Sequence, residues 1–158
     1  MTGAVVVDAS VVIKWVVPEA GTIDALALLE RFSPCAPDLV IAECANILWK
    51  KVTRGELETG EADAAARLLE ASALETRGTR HLLGRSTTLA VSLGHPAYDC
   101  LYLALAQELD LPFVTADERL VRKLADTSPS DPPVRVLALT GARDALAELD
   151  VVERGGDA

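Results

Sequence analysis

Two histidines, three cysteines and two each of tryptophan, tyrosine and phenylalanine are all that 158 positions hold of those residue types. Each scarcity argues against a kind of chemistry. His81 and His95 stand apart, neither with a second nitrogen or sulfur ligand at metal-binding spacing, which argues against a zinc centre and against catalysis by an imidazole acid–base pair. Cys35, Cys44 and Cys100 are odd in number, widely separated and each set in an apolar segment. They read as reduced core residues of a cytosolic (cytoplasmic) protein rather than as a disulfide framework or zinc knuckle. The longest apolar runs are about seven residues, as in CLYLALA at 100–106, against the ~20 that a membrane span requires. The start, MTGAVVVDAS, lacks a basic region and meets an aspartate after a short apolar run, so a secretory signal is not expected. Basic charge is scarce as well. Fifteen Lys and Arg face 24 Asp and Glu, a net charge of −9 that argues against binding nucleic acid through a basic surface.

What is present is apolar and periodic. Half of the residues are hydrophobic, and a chain of this length forms one domain that buries roughly 68–70% of its unfolded surface. The run AVVVDA (4–9) has strand length and β-branched composition. In 20–32, Ile23, Leu26, Leu29 and Phe32 recur at helical spacing. Residues 35–37 are a brief extended link or short strand. Residues 38–55 form a strong helix, with Asp38 placed to cap it and Gly55 to end it. Further helices are expected over 58–73, 79–94, 95–109, 118–127 and 141–149, a short strand within 73–79, clear strands over 111–117 and 134–139, and a loop at 128–133. Strands alternating with helices indicate an α/β fold, a parallel sheet with helices on both faces. Ligands of such sheets bind at the carboxyl ends of the strands, where strand order reverses. Asp8 and Asp117 would sit there.

Four carboxylates stand out, and each has an ordinary structural reading beside a functional one. Asp8 follows a strand and could simply cap the next helix. Asp117 lies inside Thr115-Ala-Asp-Glu118, which matches a capping box. Glu43 and Asn46 are the only polar side chains in LVIAECANILW and share one helical face. Glutamate is almost never fully buried unless it is paired or coordinating. Asp99 shares a face with Tyr102, Leu103 and Ala106, and could instead serve the helix N-terminus behind Pro96.

Taken together, two acids at strand ends and two on apolar helices could converge on one crevice. Two unit charges 4 Å apart repel by about 4 kcal/mol at an effective dielectric near 20, so such a cluster is tolerated by protonation or by a cation. All-oxygen ligands favour Mg²⁺ or Mn²⁺. A divalent ion beside a phosphate is the usual apparatus of metal-assisted phosphodiester hydrolysis.

The series VVVDAS, AECANILW, YDCLYLALA and FVTADERL resembles the PIN-domain ribonucleases, specifically the VapC-type toxins of bacterial toxin–antitoxin pairs, over residues 4–139. The resemblance implies a three-layer α/β/α sandwich around a short central parallel sheet. Residues 1–140 would be the nuclease domain and 141–158 a helical, frayed tail of the same domain. It implies Mg²⁺- or Mn²⁺-dependent endonucleolytic cleavage of RNA, a small VapB-type antitoxin covering the site, a cytoplasmic location and commonly a homodimer. By motif position Asp8, Glu43, Asp99 and Asp117 correspond to the acidic quartet that holds the metal, with Asp8 and Asp99 as direct ligands and Glu43 and Asp117 reaching the metal through water or binding a second ion. Ser10 and Thr115 take the supporting hydroxyl positions, and Asn46 that of a partner to Glu43. The basic groups Lys50, Lys51, Arg54 and Arg119, Arg122, Lys123 are either solvated helix faces or a border that takes the RNA backbone. Three other readings compete: a PIN-like binding module without activity, an aspartyl-phosphate phosphatase and a phospho-receiver. The phosphatase would want an acid where Ser10 stands, and the receiver an acidic pair near Asp8.

Overall fold

In a computed structural model, which describes residues 3–126 and 134–155, the apolar runs are strands of one parallel sheet. These are β1 (Ala4–Val7), β2 (Ser33–Pro37), β3 (Glu75–Arg77), β4 (Phe113–Thr115) and β5 (Val136–Ala138), in the order β3-β2-β1-β4-β5. Val6 sits at the centre, in register with Cys35 on one side and Phe113 on the other. From β1 the chain builds outward to β2 and β3, then crosses back to lay β4 on the other flank of β1. Strand order therefore reverses between β1 and β4. The expected loop at 128–133 lies outside the described residues.

The helices are α1 (Ala9–Val12), α2 (Thr22–Arg31), α3 (Leu39–Thr53), α4 (Thr59–Glu70), α5 (Leu83–Leu93), α6 (Ala97–Leu109), α7 (Glu118–Asp126) and α8 (Leu139–Gly155). Right-handed crossovers put α1–α4 on one face of the sheet and α5–α7 on the other. The packing agrees: α6 lies across β1, β2 and β4 with α5 behind it, while α2 packs on α8, which covers β4 and β5. This is the three-layer α/β/α arrangement. The core runs from Val5, Val6 and Val7 through Leu103–Ala106 to Leu139, Ala142 and Leu146, so α8 contributes to the same core as the sheet.

Helix α6 holds the site's geometry. It is apolar almost all round and correspondingly buried, with Cys100 and Tyr102–Ala106 nearly inaccessible. The Tyr102 ring stacks on Phe113 of β4, centroids 5.8 Å apart.

Three local expectations are corrected. Of the residues at helical spacing in 20–32, Phe32 is buried just past α2 and Leu29 is half-buried, but Ile23 and Leu26 face solvent, and the buried residues of α2 itself are Ala25 and Leu28. A helix with apolar residues on several sides offers two stripes, and contact with α8 selects between them. Asp38 does not cap α3. Its backbone is already helical (φ −58°, ψ −19°) rather than extended, and its Oδ1 accepts from the Thr79 hydroxyl at 3.3 Å. The capping box at Thr115–Glu118 is replaced by Asp117 as the cap of α7. Gly55 ends α3 as expected, in the left-handed region at φ +70°.

Leu105 is fully buried in α6. Leu105→Ala is expected to cost about 2–5 kcal/mol, read as a lower urea midpoint at unchanged slope.

Candidate active site

The carboxyl ends of β1 and β4 open into a crevice of about 250 Å³. All four acids line it, together with Ser10, Asn46 and Tyr102. Thr115 lies fully buried in β4, bonded to Asp8.

Asp8 is the most constrained. It caps α1, its Oδ1 accepting from the backbone N–H of Ser10 (3.1 Å) and Val11 (3.3 Å) and from the Ser10 hydroxyl (2.5 Å). Its Oδ2 accepts from the Thr115 hydroxyl at 2.5 Å. The cap and candidate-ligand readings of Asp8 are thus compatible. Burial pushes its carboxyl from 3.8 up to about 6; the Ser10, Thr115 and Val11 bonds oppose the shift, and the Asp99 charge adds to it. Ser10 and Thr115 are therefore the hydroxyls that fix Asp8. Thr115 ends β4 and α7 begins at Glu118, so its hydroxyl, which donates to Asp8 and accepts from the Asp117 N–H at 3.0 Å, lies too early in the chain to cap the helix. Asp117 does so instead, its Oδ1 accepting from the N–H of Arg119 (3.0 Å) and Leu120 (3.2 Å).

Glu43 comes from the half-buried face of α3, and its Oε2 accepts from the Tyr102 hydroxyl. Tyr102, rather than Asn46, is its partner; Asn46 lines the crevice as an exposed residue. Burial raises the Glu43 carboxyl, the Tyr102 bond opposes this, and the Asp99 charge adds to it. Burial, and then the Glu43 bond, raise the Tyr102 phenol. Asp99, in the first turn of α6, makes no backbone cap. Its Oδ2 pairs with His95 Nε2 at 2.6 Å. Tyr102 and His95 are the site residues that sequence reasoning missed. The four-residue spacing of His95 and Asp99 was a usable signal, whereas the bond from Tyr102 to Glu43 spans 59 positions.

Asp99 is the hub of the cluster, since its charge acts on both Asp8 and Glu43. The donor set is all oxygen, the chemistry that suits Mg²⁺ or Mn²⁺. On Glu43, Asp99 and Asp117 the protein's hydrogen bonds fall on one oxygen and leave the other without a partner among the described residues. As they stand, however, no three His, Cys, Asp or Glu side chains among the described residues are grouped to hold an ion. The fit is one of ligand type and location.

Next to the acids lies a larger cavity of about 430 Å³, lined by Lys14, Lys50, Lys51 and Arg54 and sharing Ser10, Ile47 and Asp117 with the crevice. Glu19 bridges Lys14 (2.7 Å) and Lys51 (2.9 Å) at its wall. The cluster on α3 therefore borders the site. Of the cluster on α7, Lys123 donates to the Gly94 carbonyl at 2.7 Å, and Arg119 and Arg122 are exposed.

Because the folded state holds the Asp8 proton up to about pH 6 and the unfolded state releases it near 3.8, stability of the metal-free protein falls as pH rises through that window. Above it the buried charge costs up to about 3 kcal/mol. Asparagine caps a helix as well as aspartate, so Asp8→Asn in EDTA is expected to melt higher than the parent at pH 7 and equally at pH 4. A lower melting point at pH 7 would show that the charge is stabilising.

Comparison with known proteins agrees with this geometry. The PIN domain family model matches residues 5–125. Ribonuclease VapC3 of Pyrobaculum aerophilum is 32% identical over 124 residues, covering 75% of this chain and 92% of its own. The crystal structure of PAE2754, from the same organism, shares the fold with a TM-score of 0.68 at 22% identity, covering 94% of this chain and 98% of its own. A sheet with its acids at the β1–β4 reversal, a family match across most of its length and a relative of this identity together make the chain a member of the PIN-domain family, of the VapC type.

Proposed function

We propose that the protein is an Mg²⁺- or Mn²⁺-dependent endoribonuclease toxin that hydrolyses RNA phosphodiester bonds. The observation that carries this reading is the convergence of Asp8, Glu43, Asp99 and Asp117 on one crevice beside a basic cavity. Glu43, Asp99 and Asp117 would hold the ion through the oxygens their hydrogen bonds leave open, and Asp8 through Oδ2, which among the described residues accepts only from Thr115. When bound, the ion would polarise the phosphoryl oxygen, activate water and steady the leaving oxygen. Everything else falls to the chain. Ser10 and Thr115 lock Asp8 in one orientation. Tyr102 does the same for Glu43. Lys14, Lys50, Lys51 and Arg54, four cations against Glu19, Glu56 and Asp117 in the same lining, would take the phosphates beside the scissile one.

Hydrolysis by in-line attack of water is favoured over a covalent route. The Ser10 hydroxyl is committed to Asp8. Burial raises the Cys44 and Cys100 thiols to about 12 and about 11, far from the thiolate a nucleophile needs.

Neutralisation by a small VapB-type antitoxin is part of this reading. An arginine-bearing segment would find bidentate partners among the crevice carboxylates. The apolar groove between α3 and α4, lined by Val40, Ile41, Leu48 and Leu69, suits an apolar segment of the same partner. Exposed Leu83 and Val91 on α5 and Tyr98 on α6 support a homodimer. Three free, buried cysteines suit the cytoplasm, and no described helix is long and apolar enough to cross a membrane.

One observation favours a second reading, a PIN-like binding module without activity: the four acids, as they stand, form no three-ligand group. Activity separates the two. Protein freed of any partner is expected to cleave single-stranded or loop RNA with Mn²⁺ or Mg²⁺ and to stop on adding EDTA, and Asp99→Asn is expected to abolish cleavage without loss of metal-free stability. Cleavage that survives EDTA overturns the metal mechanism, and no cleavage by the parent under any divalent ion favours the binding module. Lys50→Ala with Arg54→Ala is expected to weaken RNA binding evenly across sequences, lowering the slope of log affinity against log salt by about 1–2.

A further inference from the structure

The acid at the centre of the cluster is held by a residue that the reading above does not use. Among the described residues Asp99 accepts no backbone bond and faces no lysine or arginine within ion-pair distance, and its one side-chain partner is His95. Half-exposed at the mouth of the crevice, it would otherwise be free to change rotamer. His95 is itself well fixed, its side chain only 15% exposed. Its N–H donates to the Ala90 carbonyl at 3.1 Å, just where Gly94 turns the chain out of α5 at φ +58°. Its carbonyl accepts a weak bond from the Cys100 thiol. The Gly94 carbonyl before it accepts from Lys123 of α7, and Pro96 after it restricts its backbone to extended conformations. The imidazole is therefore aimed at Asp99 by the backbone on both sides of it. An ionised carboxylate oxygen can only accept, so at 2.6 Å the Nε2 atom carries the proton.

Resting on the metal-dependent reading, we infer that His95 is a positioning residue: its Nε2–H fixes the Asp99 carboxylate by Oδ2 and thereby presents Oδ1 to the divalent ion. A group that orients a ligand in this way prepays the entropy of ordering it, and removing such a group typically costs 10–100-fold in metal affinity. A merely structural His95 would alter stability and leave affinity alone. The inference concerns donation by one N–H rather than protonation, so a neutral amide of similar reach should replace it.

The test is Mn²⁺ uptake by the full chain, followed through the signal of free Mn²⁺ in electron paramagnetic resonance, for the parent, His95→Ala and His95→Gln. His95→Leu, which fills the space without a donor, replaces the alanine variant if that variant misfolds in EDTA. The expected result is a loss of about 10–100-fold in affinity for His95→Ala or His95→Leu, recovered for the most part by His95→Gln, with melting points in EDTA alike. Equal affinity in the parent and the donorless variants overturns the inference and leaves the nuclease reading standing. So does a glutamine variant that binds as weakly as alanine. A parent that takes up no Mn²⁺ overturns both.

Discussion

A buried carboxylate that pairs with no lysine or arginine among the described residues sits at the carboxyl end of the central strand, and most of the site is arranged around its burial. Asp8 is nearly inaccessible, and its burial disfavours its charge. Four donors from three residues meet it: two backbone N–H groups of α1 and the hydroxyls of Ser10 and Thr115. These bonds limit the cost of burial without removing it. They also dictate neighbouring structure. The first helix begins where it does because Asp8 caps it, and β4 is tied to β1 by a side-chain bond as well as by the ladder. The start of α7 falls to Asp117 because Thr115 belongs to β4, where its hydroxyl also accepts from the Asp117 N–H.

The remaining acids repeat the theme at lower cost. Glu43 and Asp99 are each partly buried and each held by one donor, the Tyr102 hydroxyl and the His95 imidazole. Asp117, at the surface, needs only a helix N-terminus. Hydrogen bonding follows burial only at its extreme: Asp8 accepts four bonds, Glu43 and Asp99 one each, and exposed Asp117 two from the start of its helix. The cations nearby are kept apart from the acids of the crevice. Glu19 draws Lys14 and Lys51 to the wall of the adjoining cavity, and Glu56 pairs Lys51 as well, so neither closes an ion pair onto Asp8 or Asp99.

Much of this was legible in the chain. The parallel sheet followed from strands alternating with helices, and the positions of Asp8 and Asp117 from the rule that ligands gather where strand order reverses. Asp99 and Tyr102, three residues apart on one helical face, both line the crevice, although the spacing alone did not mark Tyr102 as a site residue. What could not be read depends on which surfaces meet. The α2 stripe had two candidates, and only the presence of α8 chooses Ala25 and Leu28. Both the bond from Tyr102 to Glu43 and that from Thr115 to Asp8 join residues far apart in sequence, where local spacing carries no signal. Asp38 failed as a cap because its backbone turns helical one residue too early for its side chain to reach back.

Helix α7 leaves one mechanical consequence. At its first turn it hangs from the Asp117 carboxylate, and from its last turn Lys123 reaches across to the Gly94 carbonyl, next to the residue that grips Asp99. Nine residues of helix, about 13 Å of stiff rod, therefore span two otherwise unrelated rims of the crevice. Through these two bonds the seating of α7 bears at once on Asp117 and on the residue that precedes His95.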